Sequence, residues 1–330
     1  MRAPRPVPDR LVELAALQEG LVSSDQCDDE GLSPDRRSAL VRHGAITRIV
    51  RGVYQVGPGP EVRDPASERR RSTWLGLLAV GPEAVAVGVG ALAMHRVLGL
   101  PTTIAPSVAV PQGMARRPQG PVAVRRFDNG MQTVEVAGRR VATVPWALAQ
   151  AVPELPRGCA VALMDSALHL GLIDERELDR AHHFARGRRG VARTHEWWCL
   201  ADGRAESPLE SEGRLDCLDK GVPPDELQVE LRAPGGYLLG RGDMGWRLED
   251  GRWLIAEMDG REWHEAPDAL FRDRSRQNDL VGVAVVLRFT SDDVRAGTVG
   301  GTVRRHLRLH RRPTSGRTHP WSAETSVWAD

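Results

Sequence analysis

Between Leu238 and Gly260 the chain encodes a β-hairpin whose register can be worked out from its loop. Leu238–Trp246 and Arg252–Asp259 are β-rich runs flanking the turn residues Glu249-Asp250-Gly251. A three-residue loop with Gly251 in the left-handed position is a common hairpin solution. It pairs Leu248 with Arg252 and sets Asp243 opposite Glu257. Opposed residues on one face lie about 4.5–5.5 Å apart at Cβ. Strand alternation then puts Glu257 and Asp259 on that face, with Ala256 and Met258 on the other. A two-residue Asp-Gly loop would instead pair Asp243 with Met258 and scatter the acids over both faces. Clustered carboxylates hold a divalent cation such as Mg²⁺ or Mn²⁺, and such cations drive phosphodiester hydrolysis. Asp243, Glu257, Asp259 and the nearby His264 are therefore candidate catalytic residues, with Asp243 and Glu257 as metal ligands.

Each candidate has a plainer alternative. Glu257 follows Leu254-Ile255-Ala256, and a carboxylate in an apolar strand needs a metal, an arginine or a hydrogen-bond network. Asp259-Gly260 is ordinary turn chemistry. Glu210 fits the third helical position of a capping box, reaching back to the Ser207 amide. Arg274 and Arg276 fall on an expected helix, Leu270–Leu280, where they can hold a phosphate or pair with Asp273 and Asp279 on a solvated face.

The N-terminal 58 residues carry a different pattern. Leu11, Leu14, Ala15 and Leu17 recur at helical spacing up to Gly20. Ser23 or Ser24 can cap a second helix. Ser33-Pro34 supplies an N-cap and a proline at N1 for a third. Ile46–Ile49 and Val53–Val56, joined by Arg51-Gly52, predict a hairpin. Three short helices and a hairpin make the plan of a winged helix-turn-helix. Residues 33–51 hold five arginines against one Asp, which directs DNA contact to the third helix and the wing through Arg36, Arg37, Arg42 and Arg51. The alternative is a protein-interaction module with a solvated basic face.

At 330 residues the chain calls for two or three domains. Residues 65–195 predict an α+β region. Its helices are expected at Ser72–Val80, Ala147–Val152, Ala160–Leu170 and Asp174–His183. Its strands are expected at Ser107–Val110, Val122–Phe127 and Thr133–Val136. Asp64–Arg71 reads as a linker or the first turn of a helix, and Phe184–Arg193 as a basic loop able to follow a phosphate backbone. Residues 203–312 form the third unit, opened by a helix from Ser207-Pro208 and holding strands at Gln228–Leu231 and Val283–Phe289. Residues 313–330 read as a flexible tail. Trp74–Met94 is split by Gly81-Pro82, so a buried helix and a second short element are expected rather than a membrane span. Four scattered cysteines without a CxxC pair, and no apolar leader, suit a cytoplasmic protein.

Residues 203–310 resemble the very-short-patch-repair-like endonuclease domain of the PD-(D/E)xK superfamily. The matching features are Ser-Pro-Leu-Glu-Ser, Gln228, Asp243, the Ile-Ala-Glu-Met-Asp-Gly run, His264, the Asp273-Arg274-x-Arg276 segment and the Val-Leu-Arg-Phe-Thr strand. Residues 1–195 resemble the AbiEi-type antitoxins through Arg51-Gly52-Val53-Tyr54 and the Ala162–Gly171 helix. The resemblance implies an α+β multidomain protein: a winged helix, an antitoxin-like region, and a restriction-endonuclease-like core with a mixed sheet. It implies a DNA endonuclease using Mg²⁺ or Mn²⁺ at Asp243 and Glu257, with Glu210 of the leading helix as a further metal ligand, or a transcriptional regulator with a catalytically dead nuclease-like domain and a toxin protein as partner. Asp259 stands where the superfamily has its lysine, and the single lysine of this chain, Lys220, ends the first helix of the third unit.

Overall fold

Capping residues and glycines punctuate the N-terminal region. The computed structural model describes residues 5–59, 63–111, 120–260, 280 and 282–310. Helix α1 (Asp9–Leu17) leads through Gly20, which has a left-handed backbone, into strand β1 (Leu21–Ser23). Ser23 caps α2 (Ser24–Asp29) in a capping box with Gln26, and Ser33 caps α3 (Pro34–Arg42), with its proline at N1. Strands β2 (Ile46–Val50) and β3 (Val53–Val56) form the hairpin, turned by Gly52 at φ +82°. The short β1 pairs antiparallel with β3, Val22 opposite Tyr54, giving the sheet order β1-β3-β2. Three residues are too few for a period-2 signal, so the sequence did not predict β1. Leu11, Ala15, Val22, Cys27, Leu32, Leu40 and Ile46 fill the core of this winged helix.

Asp64 caps α4 (Pro65–Val80), accepting from the amides of Ala66 and Ser67. Asp64–Arg71 is thus the start of a helix and not a linker. A clasp fastens this helix to the winged helix. The Glu19 carboxylate accepts from Ser67 Oγ and, at 2.6 Å, from Arg70 Nε, while Arg71 donates to the Glu19 carbonyl and to Gln55 Oε1, both at 2.7 Å. Glu19 holds this position with a left-handed backbone, φ +54°, a conformation that costs a non-glycine residue about 1 kcal/mol or more.

After α4 come β4 (Val85–Ala86), α5 (Gly88–Met94), β5 (Ser107–Val110), β6 (Ala123–Arg126), β7 (Thr133–Val136) and β8 (Arg139–Ala142). They make a mixed five-stranded sheet in the order β6-β5-β4-β8-β7. The two-residue β4 at its centre and β8 lack an alternation long enough to be read from sequence. Gly76 lets α4 lie directly on this sheet, since a Cβ there would sit 3.0 Å from Val108 Cγ1. Helices α6 (Val144–Ala151), α7 (Arg157–His169) and α8 (Glu175–Ala185) complete the region, the last with an Asp174–Glu177 capping box. A 3₁₀ stretch, Val191–Leu200, follows the basic loop. Trp74–Met94 is divided between α4 and α5 as expected, and no described helix is long and apolar enough to cross a membrane.

The chain divides into two compact units, Met1–Ser211 and Glu212–Asp330. In the second, the end of α9 (Pro208–Asp219) is followed by β9 (Glu226–Arg232), β10 (Leu238–Arg247), β11 (Trp253–Asp259), β12 (Ala284–Thr290), α10 (Ser291–Arg295) and α11 (Val299–Leu309). The sheet order is β12-β11-β10-β9, antiparallel except for the parallel β11–β12 pair. The described core is thus α+β with mixed sheets. Val229, Leu231, Leu239, Trp253 and Ile255 cluster on one face. On the other, Gly213 of α9 leaves room for Met258, whose Sδ would lie 2.9 Å from a Cβ there. His264, Arg274, Arg276 and most of the Leu270–Leu280 segment lie outside the described residues.

Candidate functional sites

The β10–β11 hairpin has the three-residue loop. Leu248 donates to Arg252 O at 2.8 Å, Gly251 donates to Leu248 O, and Gly251 takes φ +85°. The ladder pairs Met244 with Ala256 and Trp246 with Leu254, so one step further along it Asp243 stands opposite Glu257. On the other side of β10, Gly242 pairs with Val229 and Met244 with Leu227, which sets Gln228 opposite Asp243. Glu257 in turn pairs with Arg288 of β12. Gln228, Asp243, Glu257 and Arg288 thus form one polar row across all four strands.

This row accounts for its own charges. Arg288 Nε donates to Glu257 Oε2 at 3.1 Å, and the Met258 amide donates to Asp243 Oδ2 at 2.7 Å. Glu257 therefore meets the need of a carboxylate in an apolar strand with an arginine. Asp259 is exposed at the strand end, level with Thr290. Gln228 holds φ +56° within a strand, and strained backbone of this kind collects at functional sites. Gly242 permits the close strand approach beside Asp243, because a Cβ there would fall 2.3 Å from Ile255 Cγ2.

Mg²⁺ is commonly held by one or two carboxylates, with waters completing its shell. Among the described residues, no group of three or more His, Cys, Asp or Glu side chains is placed to hold one, and a guanidinium already occupies Glu257. Glu210 does serve as a capping residue: its carboxylate accepts from the Glu206 amide at 2.9 Å while its own amide donates to Ser207 Oγ. The partner amide is one residue earlier than the capping-box pattern predicts.

In the winged helix the predicted arginines separate. Arg37 is interior, 7% exposed, and its Nη1 donates to Asp28 at 2.5 Å and to the carbonyls of Leu32 and Ser24 at 2.9 and 3.2 Å. It braces α3 against α2 and presents no charge to a ligand. Helical periodicity explains this, since Arg37 lies three residues before Leu40 on the inward face. Arg36 is half-buried and donates to Pro6 O. Arg42 and Arg51 are exposed and, among the described residues, have no hydrogen-bond or ion-pair partner. Arg48 in β2 shares that state. Its signal in the sequence is its place three residues before the wing turn.

Two comparisons bear on these sites. Residues 9–57 match the family model described as "Transcriptional regulator, AbiEi antitoxin". Two uncharacterized proteins of Mycobacterium tuberculosis, one from strain CDC 1551 / Oshkosh and one from H37Rv, are each 32% identical to this chain over 277 residues, covering 81% of this chain and 94% of the relative. The protein belongs to one family with these mycobacterial proteins, and its N-terminal domain is of the AbiEi antitoxin type.

Proposed function

We propose that the protein is a DNA-binding transcriptional regulator of antitoxin type. The observation that carries this is the set of three exposed arginines, Arg42, Arg48 and Arg51, which have no partner among the described residues and lie on the third helix and wing of an AbiEi-type domain. Cations that have no acidic partner on the protein are free to displace condensed counterions from a duplex, which gives affinity with steep salt dependence. The end of α3 and the wing turn are the two places from which a winged helix reaches a groove and the adjoining phosphates. Fluorescence anisotropy with a duplex from the upstream region of its own gene tests the proposal. Arg42→Ala with Arg51→Ala should weaken binding and flatten the salt slope by about two. Unchanged binding in that double variant would refute it. The family also brings in a toxin protein as partner, and a toxicity-rescue assay with a neighbouring gene product tests that.

A second proposal, hydrolysis of phosphodiester bonds with Mg²⁺ or Mn²⁺, is favoured by one observation: Asp243 and Glu257 are opposed in register. It requires Glu257 to part from Arg288, with waters or substrate phosphates completing the metal's shell. Metal-dependent plasmid nicking by the wild type that disappears in Glu257→Ala would establish it, and equal background in both would dismiss it.

A further inference from the structure

We infer that the loop joining α8 to the 3₁₀ stretch forms a phosphate-binding pocket for a small, nucleotide-sized phosphorylated molecule. A cavity of about 590 Å³ opens there, lined by Gln150, Glu154, Arg188, Arg189, Gly190 and Arg193. That volume lies within the range of about 300–1,000 Å³ typical of small-ligand sites.

The charge around it is unbalanced. Both acids are already engaged by residues of the fold. Glu154 is held in a two-pronged pair by Arg125, at 2.6 and 2.9 Å, and Asp128 accepts from Arg188 at 2.6 Å and from Gln150 at 2.7 Å. Four guanidiniums against two carboxylates leave two positive charges at one concave spot. Donor capacity remains as well. A guanidinium has five N–H groups. Arg188 spends its Nε on the Phe184 carbonyl and Nη2 on Asp128, and Arg193 spends Nη2 on the Pro153 carbonyl. Arg189 is exposed and, among the described residues, has no partner.

The backbone adds to this. Gly190 sits at φ +88°, and a Cβ there would lie 2.6 Å from the Pro153 carbonyl oxygen. Only glycine lets the loop close this tightly over the 3₁₀ turn that follows α6. The amides of Arg189 and Gly190 donate to no described acceptor, and successive free amides at a left-handed turn make an anion-binding concavity. Three arginines within six residues surround one cavity instead of spacing themselves along a groove, which favours a compact phosphate ester over a polynucleotide track.

Isothermal titration of the full-length protein with pyrophosphate and with ATP tests the site, beside a single-stranded oligonucleotide and the variants Arg189→Ala and Arg42→Ala. The expected result is saturable binding of pyrophosphate or ATP, weakened about tenfold or more by Arg189→Ala and unchanged by Arg42→Ala on the winged helix. Arg189 is exposed, so its loss leaves the fold intact, which circular dichroism verifies. No saturable heat at millimolar ligand overturns the inference. So does affinity indifferent to Arg189→Ala, affinity abolished by Arg42→Ala, or binding of the oligonucleotide alone.

Discussion

Replacing Arg37 by alanine separates a structural arginine from the exposed ones nearby. The Arg37 side chain is 8% exposed and its partner Asp28 is 51% exposed. Breaking a fully buried pair costs about 3–5 kcal/mol, because the remaining charge stays desolvated. Asp28 can rehydrate, so that limit does not apply. What remains is two backbone carbonyls without a donor, at about 1 kcal/mol each, together with the lost packing of the buried stem. The total is about 3 kcal/mol, which for a cooperative unit of this size lowers Tm by about 6–12 °C. Thermal denaturation followed by circular dichroism measures it, with Arg42→Ala as the comparison expected to melt like the wild type. Stability of Arg37→Ala within about 0.5 kcal/mol of the wild type would refute an interior role for this arginine.

Burial raises the carboxyl pKa of Glu212 above its ordinary 4.5, opposed by Arg295. The stability associated with a raised folded pKa is fully present below the unfolded value and is lost as pH rises through the folded one. Glu212→Gln should therefore stabilise the C-terminal unit at neutral pH and give no gain in acid, as read by urea denaturation at both. Burial, with His195 and Arg186 adding to it, lowers His182 below its ordinary 6.5. The N-terminal unit should lose stability as pH falls through that range, and His182→Gln should flatten the dependence in a melting series. Burial pushes the thiols of Cys27 and Cys217 up to about 11 and about 12, whereas Cys199 is exposed. Iodoacetamide on the native protein should label Cys199 and spare those two, as peptide mass spectrometry would show. Substituting Gly242 by alanine should disrupt the β9–β11 sheet, because the added methyl meets Ile255 at 2.3 Å; retention of native stability would contradict that contact.

Much of the architecture could be read from local signals. Ser23, Ser33, Asp64 and Asp174 mark helix starts because their side chains accept specific amides, and Gly251 fixes a hairpin register through its own φ. What escaped the sequence depends on partners far along the chain. Strands β1 and β4 exist because neighbouring strands pair with them, not because of their own two or three residues. The opposition of Asp243 and Glu257 was legible, because a short loop determines it. The ion pair that Glu257 makes was not, since the β11–β12 pairing joins segments separated by a crossover whose register no turn dictates. Likewise, a count of arginines could not tell interior Arg37 from exposed Arg48, which differ in partner rather than in type.

The clasp at Glu19 has a mechanical consequence. Because α4 grips the winged helix through Glu19, Ser67, Arg70 and Arg71, the winged helix is tied to the sheet-bearing body behind it. On the proposed reading, the two would land on an operator as one block, so the length of duplex shielded from cleavage would reflect the whole N-terminal unit. Spacing between adjacent sites would then be governed by the bulk of that body, and a promoter with closely set repeats would admit a second copy only where the two bodies clear one another.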